Sequence, residues 1–215
     1  MSWKNDQVSE IETRKIVELA KSCLELDGDF VEMGCYKGDT SLLLAEVLQH
    51  HFFGHARGCS PKLMVQKNDV CDTSAIKRLW IYDSFEGLPE KSLKDESEIG
   101  KDFKAHELFV TKRDVKLRFL KAGLKMPEIK KAWFKDLKDT DFPEKIAFLF
   151  LDGDFYESIC DSLRLTYDKM TPGGVMIIHD YNNLALPGVA KAVDEWNQDK
   201  KLEVKVFQSM AIIKT

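Results

Sequence analysis

The spacing of apolar residues along the chain switches repeatedly between a helical period and a strand period. Apolar positions from Val8 to Leu24 recur at helical spacing and predict an amphipathic N-terminal helix. Short apolar runs bounded by turn residues follow, and helical patterns separate them. The runs that predict strands are Asp29–Gly34, Leu79–Tyr82, Ile146–Leu151 and Val175–Ile178. This alternation is typical of an α/β fold with a mainly parallel sheet and helices on both of its faces.

The predicted sheet has a buried centre and an antiparallel edge. Ile146–Leu151 is apolar at every position, so both faces of this strand should be covered, as in a central parallel strand. Ile129–Phe134 is a weaker candidate for a strand. Val204–Phe207 and Met210–Ile213 are joined by the short link Gln208-Ser209, which predicts an antiparallel pair at one edge. The pattern therefore predicts seven strands.

Helix boundaries follow from residues that cap helices. Thr40 or Ser41 should cap the strongly apolar helix Leu42–Leu48. Further along, Thr111 begins a capping box with an aspartate three residues later, and the helix behind it should end near Gly123.

Composition narrows the class of protein. The 215 residues carry 36 acidic and 32 basic side chains, which gives a formal net charge of −4. This mild acidity argues against a nucleic-acid partner, because nucleic-acid-binding surfaces are usually basic. The longest clean apolar run is Ile146–Leu151, far shorter than the roughly 18 residues of a membrane helix, so no membrane association is expected. The five cysteines show no CxxC spacing, and the expected location is a reducing cytoplasm without disulfides.

We expect a single domain over residues 1–215, with three additions to a minimal α/β unit. Residues 1–27 form an N-terminal helical extension, and residues 50–78 form an insertion. Residues 89–106 form a mobile loop, because charges of both signs outnumber apolar anchors there. The sequence leaves a homo-oligomer open, since the N-terminal helix could pack on its own sheet or on a second copy of the chain.

The turn after the first predicted strand has a spacing that suits a ligand site. Glu32 ends the strand, and Gly34 and Gly38 complete an E-x-G-x-x-x-G pattern. Glycine lets the backbone approach a ligand closely because it has no Cβ. The dinucleotide spacing G-x-G-x-x-G is missing, which disfavours a nicotinamide-dependent oxidoreductase. A plain tight turn with a solvated acid explains the motif equally well.

Asp83 favours a ligand site over a plain tight turn. It ends the second strand, where an acidic side chain can accept hydrogen bonds from both hydroxyls of a ribose. Glu32, in the preceding unit, can pair with a cationic group. The two acids together fit an adenosine ligand with a charged tail, although Asp83 alone could be a helix cap or a turn residue.

Four stretches of the chain stand in an order and spacing that resemble a known family. They are Phe30–Gly38, Tyr82–Pro89, Ala132–Asp136 and Leu151–Ser158, and Pro172-Gly173-Gly174 and His179-Asp180-Tyr181 extend the match. They resemble class I S-adenosylmethionine-dependent methyltransferases, and more narrowly the macrocin O-methyltransferase family, which methylates sugar hydroxyls of macrolide antibiotics. The likeness runs from about Val8 to about Trp196. It implies a Rossmann-like methyltransferase fold and S-adenosylmethionine as the cofactor.

The resemblance also implies roles for residues at the edge of the predicted sheet. Gly34 and Gly38 would approach the methionine part of the cofactor, and Glu32 would lie near its amino group. Asp83 would hold the ribose, and Asp136 would lie near the adenine. The implied cofactor-binding set is Glu32, Gly34, Cys35, Tyr36, Gly38, Thr40, Ser41, Asp83, Ser84, Phe85, Asp136 and Asp152.

A metal site is implied in the same way. In this family acids after the fourth and fifth strands hold Mg²⁺, and Asp152 and Asp180 occupy those positions. The family usually has two adjacent acids after the fifth strand, whereas this chain has His179-Asp180. Imidazole is a poorer magnesium ligand than carboxylate. A site of Asp152, Asp180 and His179 would therefore bind magnesium more weakly, bind another metal or bind none.

The predicted activity is methyl transfer to a hydroxyl of a small molecule, with a sugar or another natural product as the expected acceptor. Asp152, Asp154 and His179 are the candidate catalytic residues, since each could take the acceptor proton. Asp154 could instead belong to a plain turn, and His179 could simply end its strand. The alternatives are a non-catalytic adenosyl-ligand binding module and an oxidoreductase like the cephalosporin hydroxylases. The sequence shows no two-histidine-one-carboxylate set of the kind that holds catalytic iron.

Overall fold

The computed structural model describes residues 7–56 and 77–215, and its strands form one sheet. The strands are β1 (Asp29–Met33), β2 (Leu79–Asp83), β3 (Glu128–Lys131), β4 (Ile146–Leu151), β5 (Met170–Ile178), β6 (Lys205–Phe207) and β7 (Met210–Lys214). Their order across the sheet is β3-β2-β1-β4-β5-β7-β6. The first five pair in parallel, and β7 runs antiparallel between β5 and β6. The predicted mainly parallel, seven-stranded sheet with antiparallel C-terminal strands is confirmed.

Helices cover both faces of the sheet. They are α1 (Glu10–Ser22), α2 (Asp39–Ala56), α3 (Lys112–Ala122), α4 (Tyr156–Thr166) and α5 (Pro187–Asn197). The first three pack on one face together with Phe148 and Phe150 of β4. The last two pack on the other face together with Leu149 and Leu151. Because its side chains alternate between two covered faces, β4 is fully buried at every position, as its unbroken apolar sequence predicts.

Two element boundaries differ from the sequence prediction. Helix α2 begins at Asp39, because the backbone N–H of Leu42 already donates to the Gly38 carbonyl at 3.0 Å. Thr40 and Ser41 therefore lie inside the first turn and do not cap the helix. Strand β3 ends at Lys131, short of the predicted end, because residues 134–136 close into a 3-10 turn.

Helix α1 packs on its own sheet, which answers one question that the sequence left open. Ile16 and Leu19 are buried in the core on that face. Glu12 is only 5% exposed and joins two distant parts of the chain. One of its carboxylate oxygens accepts from the Ser9 hydroxyl at 2.6 Å, and the other accepts from the Ser209 backbone N–H at 3.0 Å. The carboxylate thus ties the start of α1 to the turn between β6 and β7.

Residues 89–106 are folded against α4 and α5. The buried carboxylate of Asp95 accepts from the backbone N–H of Tyr156, at the start of α4, at 2.7 Å. The Lys94 ammonium pairs with Glu195 of α5 at 2.7 Å. The Asp95 side chain fits beside Gly188 only because glycine has no Cβ. A Cβ on Gly188 would lie 1.8 Å from the Asp95 Oδ1 atom. The mobility predicted for this segment stays a prediction.

Several expectations concern residues that lie partly outside the described ranges. Of the predicted insertion at residues 50–78, the part from 57 to 76 lies outside them, including Cys59 and Cys71. Within the described ranges Cys23, Cys35 and Cys160 are free thiols. No helix of the described ranges combines the length and the apolar character that crossing a membrane requires.

The ends of β1 and β4 touch at Gly34. A Cβ on Gly34 would lie 2.0 Å from the carbonyl oxygen of Asp152, and the residue has a φ of 90°. Asp152 in turn donates its backbone N–H to the Met33 carbonyl at 2.8 Å. Glycine is therefore required here first for packing of the two strand ends, before any ligand is considered.

Replacing Gly34 with alanine should destabilise the fold through this contact. Gly123 is a suitable control, because its φ is also positive, at 66°, but a Cβ there would meet no atom within 4 Å. Gly123→Ala should lower the free energy of unfolding by about 1 kcal/mol, and Gly34→Ala by at least about 3 kcal/mol. Urea denaturation measures both values. Equal losses for the two variants would show that the contact with Asp152 is unimportant.

Candidate active site

The carboxyl ends of β1, β2, β4 and β5 open into one cleft of about 210 Å³. Neighbouring parallel strands end at the same edge of a sheet, so the polar residues that follow them converge there. The predicted residues that line the cleft are Gly34, Tyr36, Asp83, Ser84, Asp152, Asp154, His179 and Asp180. Residues from four separate parts of the sequence are thus brought to one place.

Asp83 binds the glycine turn through its carboxylate. Its Oδ2 atom accepts from the backbone N–H groups of Cys35 at 2.9 Å and Tyr36 at 3.2 Å. Its Oδ1 atom accepts from the backbone N–H of Phe85 at 2.7 Å. A carboxylate has about four acceptor positions, so roughly one remains for a ligand. Asp83 therefore fixes the conformation of the turn and can still accept a hydrogen bond from one ligand hydroxyl. Accepting hydrogen bonds from two ribose hydroxyls, as predicted, would require one of the three backbone hydrogen bonds to break.

Glu32 lies beneath the cleft, in the protein interior. It is 1% exposed, and its carboxylate accepts a hydrogen bond from the Ser41 hydroxyl in the first turn of α2. Burial raises the pKa of Glu32 to about 8, although the Ser41 hydrogen bond opposes the shift. The carboxylates of Asp152 and Asp83 contribute to this raised pKa. A cation placed above Glu32 would relieve this repulsion and favour the ionised form.

Other residues of the predicted cofactor set lie away from the cleft wall. Cys35 is buried, and its backbone N–H donates to Asp83. Gly38 faces α3, where a Cβ would lie 3.2 Å from Val115. Thr40 and Phe85 are buried beside the turns that they belong to. Asp136 is exposed in the 3-10 turn after β3 and does not line the cleft. The adenine-binding role predicted for Asp136 stays a prediction.

Asp152, His179 and Asp180 form a compact cluster at the ends of β4 and β5. The Nδ1 atom of His179 lies 3.0 Å from Oδ1 of Asp152 and 3.1 Å from Oδ2 of Asp180. Burial opposes a charge on the imidazole, but the two carboxylates outweigh it and raise the pKa of His179 to about 11. Burial also opposes the charge of Asp180, but the hydrogen bond from His179 lowers the pKa of its carboxyl, and Asn183 contributes. The cluster thus favours a charged imidazole between the side chains of Asp152 and Asp180.

Asp154 is a further carboxyl group in the same cleft, two residues after Asp152. Its φ of 59° is in the left-handed region, which aspartate tolerates better than most residues. Burial raises the pKa of Asp154 well above its usual value, and the carboxylates of Asp152 and Asp180 add to the shift. The neutral form of Asp154 is therefore favoured until a ligand adds positive charge nearby.

The cleft also contains residues that the sequence analysis missed. Gln7 enters from the N-terminal segment, and Asn183 and Leu186 enter from the loop before α5. Trp133 and Phe134 supply an aromatic wall. The stretch containing Asn183 has only the composition of a turn, and nothing in the sequence places Gln7 near the β5 end. Gln7, Asn183 and Leu186 are therefore found only once the chain is folded, whereas Trp133 and Phe134 belong to the stretch Ala132–Asp136 that contributed to the resemblance.

Arg118 supports the glycine turn from behind and was missed as well. It lies on α3, and its guanidinium donates to the Lys37 carbonyl at 2.7 Å and pairs with the buried Asp39 carboxylate. One cation therefore fixes both the end of the turn and the beginning of α2. The partners are about 80 residues apart in the chain, so no local motif could reveal them.

The fold and the cleft define the class of protein. The strand order, the reversed β7 and the ligand-sized cleft at the carboxyl edge are those of the class I S-adenosylmethionine-dependent methyltransferase fold. The O-methyltransferase NovP superposes with a TM-score of 0.70 at 26% identity, over 94% of this chain and 79% of that one. An O-methyltransferase from Bacillus cereus, in complex with SAH, superposes with a TM-score of 0.56 over 99% of this chain and 84% of that one, and at 13% identity shows the fold alone.

Sequence comparison narrows the class to a family. The macrocin-O-methyltransferase (TylF) family model matches residues 53–210, and the chain belongs to this family. A tetracenomycin-C 4'-O-methyltransferase from Streptomyces olivaceus, named for an 8-demethyl-8-(2,3-dimethoxy-alpha-L-rhamnosyl) substrate, is 32% identical over 72% of this chain and 53% of its own length. The demethyldecarbamoylnovobiocin O-methyltransferase of Streptomyces niveus is 28% identical over 85% of this chain and 65% of its own length. The matches thus span about half to two thirds of these relatives.

Glu32, which is buried beneath the cleft, makes the free energy of unfolding depend on pH. Because the folded state holds the Glu32 proton with a pKa of about 8, against 4.5 as the ordinary value, folding favours the protonated form. Stability is therefore lost as pH rises between these values, by up to about 1.4 kcal/mol per pH unit from this group. Glu32→Gln removes that dependence.

Urea denaturation of the ligand-free protein between pH 5.5 and 8 measures the effect. The difference in unfolding free energy, Glu32→Gln minus the wild type, should become steadily more positive across this range. Subtracting the wild type cancels the contributions of His179 and Asp154, which both proteins share. A difference that stays constant with pH would mean that Glu32 is ionised in the folded protein.

Proposed function

We propose that this chain is an S-adenosylmethionine-dependent O-methyltransferase that acts on a hydroxyl group of a small molecule. The observation that carries the proposal is that two groups of titratable side chains meet at one cleft. Asp83 lines the cleft and Glu32 is buried beneath it, where the two carboxyl groups suit a cationic nucleoside. Asp152, Asp154 and His179 lie beside them, where they suit a hydroxylated acceptor. Membership of the macrocin-O-methyltransferase family supports this reading.

The cofactor is proposed from charge and shape. S-adenosylmethionine carries a sulfonium and an ammonium group, and a cleft with buried carboxylates stabilises positive charge. Asp83 would accept a ribose hydroxyl, and Glu32 would face the amino group. Trp133 and Phe134 offer apolar surface for the adenine ring. The Bacillus cereus O-methyltransferase, which has the same fold, is in complex with SAH, and this supports S-adenosylmethionine as the cofactor.

The proposed methyl transfer depends more on aligning the acceptor with the cofactor than on activating the methyl group. The sulfonium methyl group is already reactive, so the protein must hold the acceptor oxygen in line with the methyl carbon and the sulfur. As the new O–CH₃ bond forms, the S–CH₃ bond breaks and its electron pair stays on sulfur, while the acceptor hydroxyl loses its proton to a base. We assign that role to Asp154, whose ionised form would be favoured by the positive charge of the bound cofactor. His179 is held in its protonated form by Asp152 and Asp180, which leaves it unsuited to accept a proton.

The residues of the cluster also fit a metal ion. Asp152, His179 and Asp180 each offer one ligand atom, and these atoms lie within 4.8 Å of one another. When bound, a divalent ion there would supply positive charge that lowers the pKa of an acceptor hydroxyl.

We propose a sugar hydroxyl of a natural product as the acceptor. The curated relatives are named as O-methyltransferases of a rhamnosyl tetracenomycin, of demethyldecarbamoylnovobiocin and of mycinamicin III. The cleft combines acids with the apolar side chains of Phe103, Leu108 and Leu186. Such a lining suits an acceptor that carries hydroxyl groups on an apolar body.

Replacing Asp83 tests the cofactor half of the cleft. Asp83→Ala should weaken SAH binding by about tenfold or more, because a charged acceptor is lost and the turn loses its anchor. Isothermal titration calorimetry with SAH measures the affinity. The exposed Asp199→Ala serves as the control and should bind as the wild type does.

A ribose analogue separates the two effects of this substitution. The wild type should bind 2′-deoxy or 3′-deoxy SAH more weakly than SAH, whereas Asp83→Ala should no longer distinguish them. If a folded wild-type protein binds no SAH, the proposed function is wrong. If Asp83→Ala keeps full discrimination, another residue holds the ribose.

Replacing Asp154 tests the acceptor half. Asp154→Asn keeps the shape of the side chain but cannot take a proton, so methyl transfer should fall by about 100-fold or more while SAH affinity is retained. The assay follows label from methyl-labelled S-adenosylmethionine into a panel of hydroxylated glycosides. An Asp154→Asn variant with wild-type turnover would remove Asp154 as the base. Cofactor binding by the wild type without transfer to any acceptor would favour a non-catalytic binding protein.

A further inference from the structure

The cluster at the ends of β4 and β5 has a donor set of its own. It combines two carboxylates, from Asp152 and Asp180, with the imidazole of His179. The His179 Nδ1 atom is 3.0 Å from one carboxylate oxygen and 3.1 Å from the other. Roughly 3 Å is also the separation of adjacent ligand atoms around an octahedral ion with bonds of about 2.1 Å. The three side chains are therefore arranged as one set of ligands.

Two of the three side chains, those of His179 and Asp180, are held in place by neighbours outside the cluster. The backbone N–H of His179 donates to the Leu151 carbonyl at 2.9 Å, and its ring packs against Phe150 with centroids 6.1 Å apart. The Asp180 Oδ1 atom accepts from the Asn183 side chain at 2.8 Å, which turns Oδ2 towards His179. Such surrounding contacts orient metal ligands and raise affinity.

His179 has little freedom to leave the cluster. The residue is 5% exposed, and its Nδ1 atom is the one directed at both carboxylates. Any ion that binds here is expected to meet the nitrogen as well as the oxygens.

We propose that this site selects a divalent ion of the first transition series, such as Fe²⁺, Co²⁺ or Zn²⁺, over Mg²⁺, and that His179 is the residue responsible. Magnesium strongly prefers oxygen ligands, whereas imidazole nitrogen suits the transition ions. The inference rests on the proposed function only in assigning the ion a role in methyl transfer. Its evidence is the mixed nitrogen and oxygen donor set of this chain.

An exchange of one ligand tests the proposal directly. Co²⁺ and Mg²⁺ are titrated separately into the metal-free full chain by calorimetry, for the wild type and for His179→Asp. Transition ions bind most sites more tightly than Mg²⁺, so the measured quantity is the ratio of the two dissociation constants. His179→Asp should reduce the preference for Co²⁺ over Mg²⁺ by about tenfold or more. His106→Asp, which changes an exposed histidine outside the cleft in the same way, should leave the ratio unchanged.

Spectroscopy identifies the ligand atom. Mn²⁺ bound to the wild type should show nitrogen coupling in pulsed electron paramagnetic resonance, and Mn²⁺ bound to His179→Asp should show none. An unchanged ratio of dissociation constants would overturn the proposal, as would nitrogen-free Mn²⁺ in the wild type. Failure of every ion to bind at millimolar concentration would also overturn it.

SAH titration of the same preparations separates this proposal from the proposed function. If SAH binds and no ion binds, the metal inference alone fails. If the ions bind with the expected preference and SAH does not bind, the methyltransferase proposal fails and the metal site stands.

Discussion

The repulsion among carboxylates at one edge of the sheet is the constraint on which the site depends. Because β1, β2, β4 and β5 end together, Glu32, Asp83, Asp152 and Asp180 are brought into or beneath a single cleft. Buried like charges destabilise a fold unless they are neutralised or hydrogen-bonded. The repulsion is reduced in a different way at each acid. Glu32 has a raised pKa, Asp83 accepts three backbone hydrogen bonds, and Asp152 and Asp180 pair with His179. A cationic ligand completes the balance, which is why we link this arrangement to a sulfonium cofactor.

Long-range polar contacts then fix the shape of the cleft. Arg118 holds the glycine turn from α3, Glu12 ties α1 to the β6–β7 turn, and Asp95 fastens the segment after β2 to the start of α4. Each contact uses a buried or half-buried charged group that is hydrogen-bonded, so loss of one partner would leave the other unsatisfied. The apolar core supports the sheet, and these contacts position the loops that carry the chemistry.

Much of this architecture was predictable, because strands and caps leave local patterns. The unbroken apolar run at Ile146–Leu151 predicted the central strand, and Thr111 predicted the start of α3, which ends at Gly123 as expected. The two motif acids Asp83 and Asp152 were correctly placed at strand ends that face one cleft. What could not be predicted depends on contacts between distant segments. Nothing local shows that Gly34 is required by the Asp152 carbonyl, or that the carboxylate of Asp83 is largely occupied by backbone N–H groups.

A crystal structure of the chain with bound SAH tests the central claim most directly. We predict that SAH occupies the cleft, with a ribose hydroxyl within hydrogen-bonding distance of the Asp83 carboxylate and the amino group above Glu32. The sulfur should then face the side of the cleft that holds Asp152 and Asp154. SAH bound on another surface, or in the cleft with its ribose turned away from Asp83, would contradict the account.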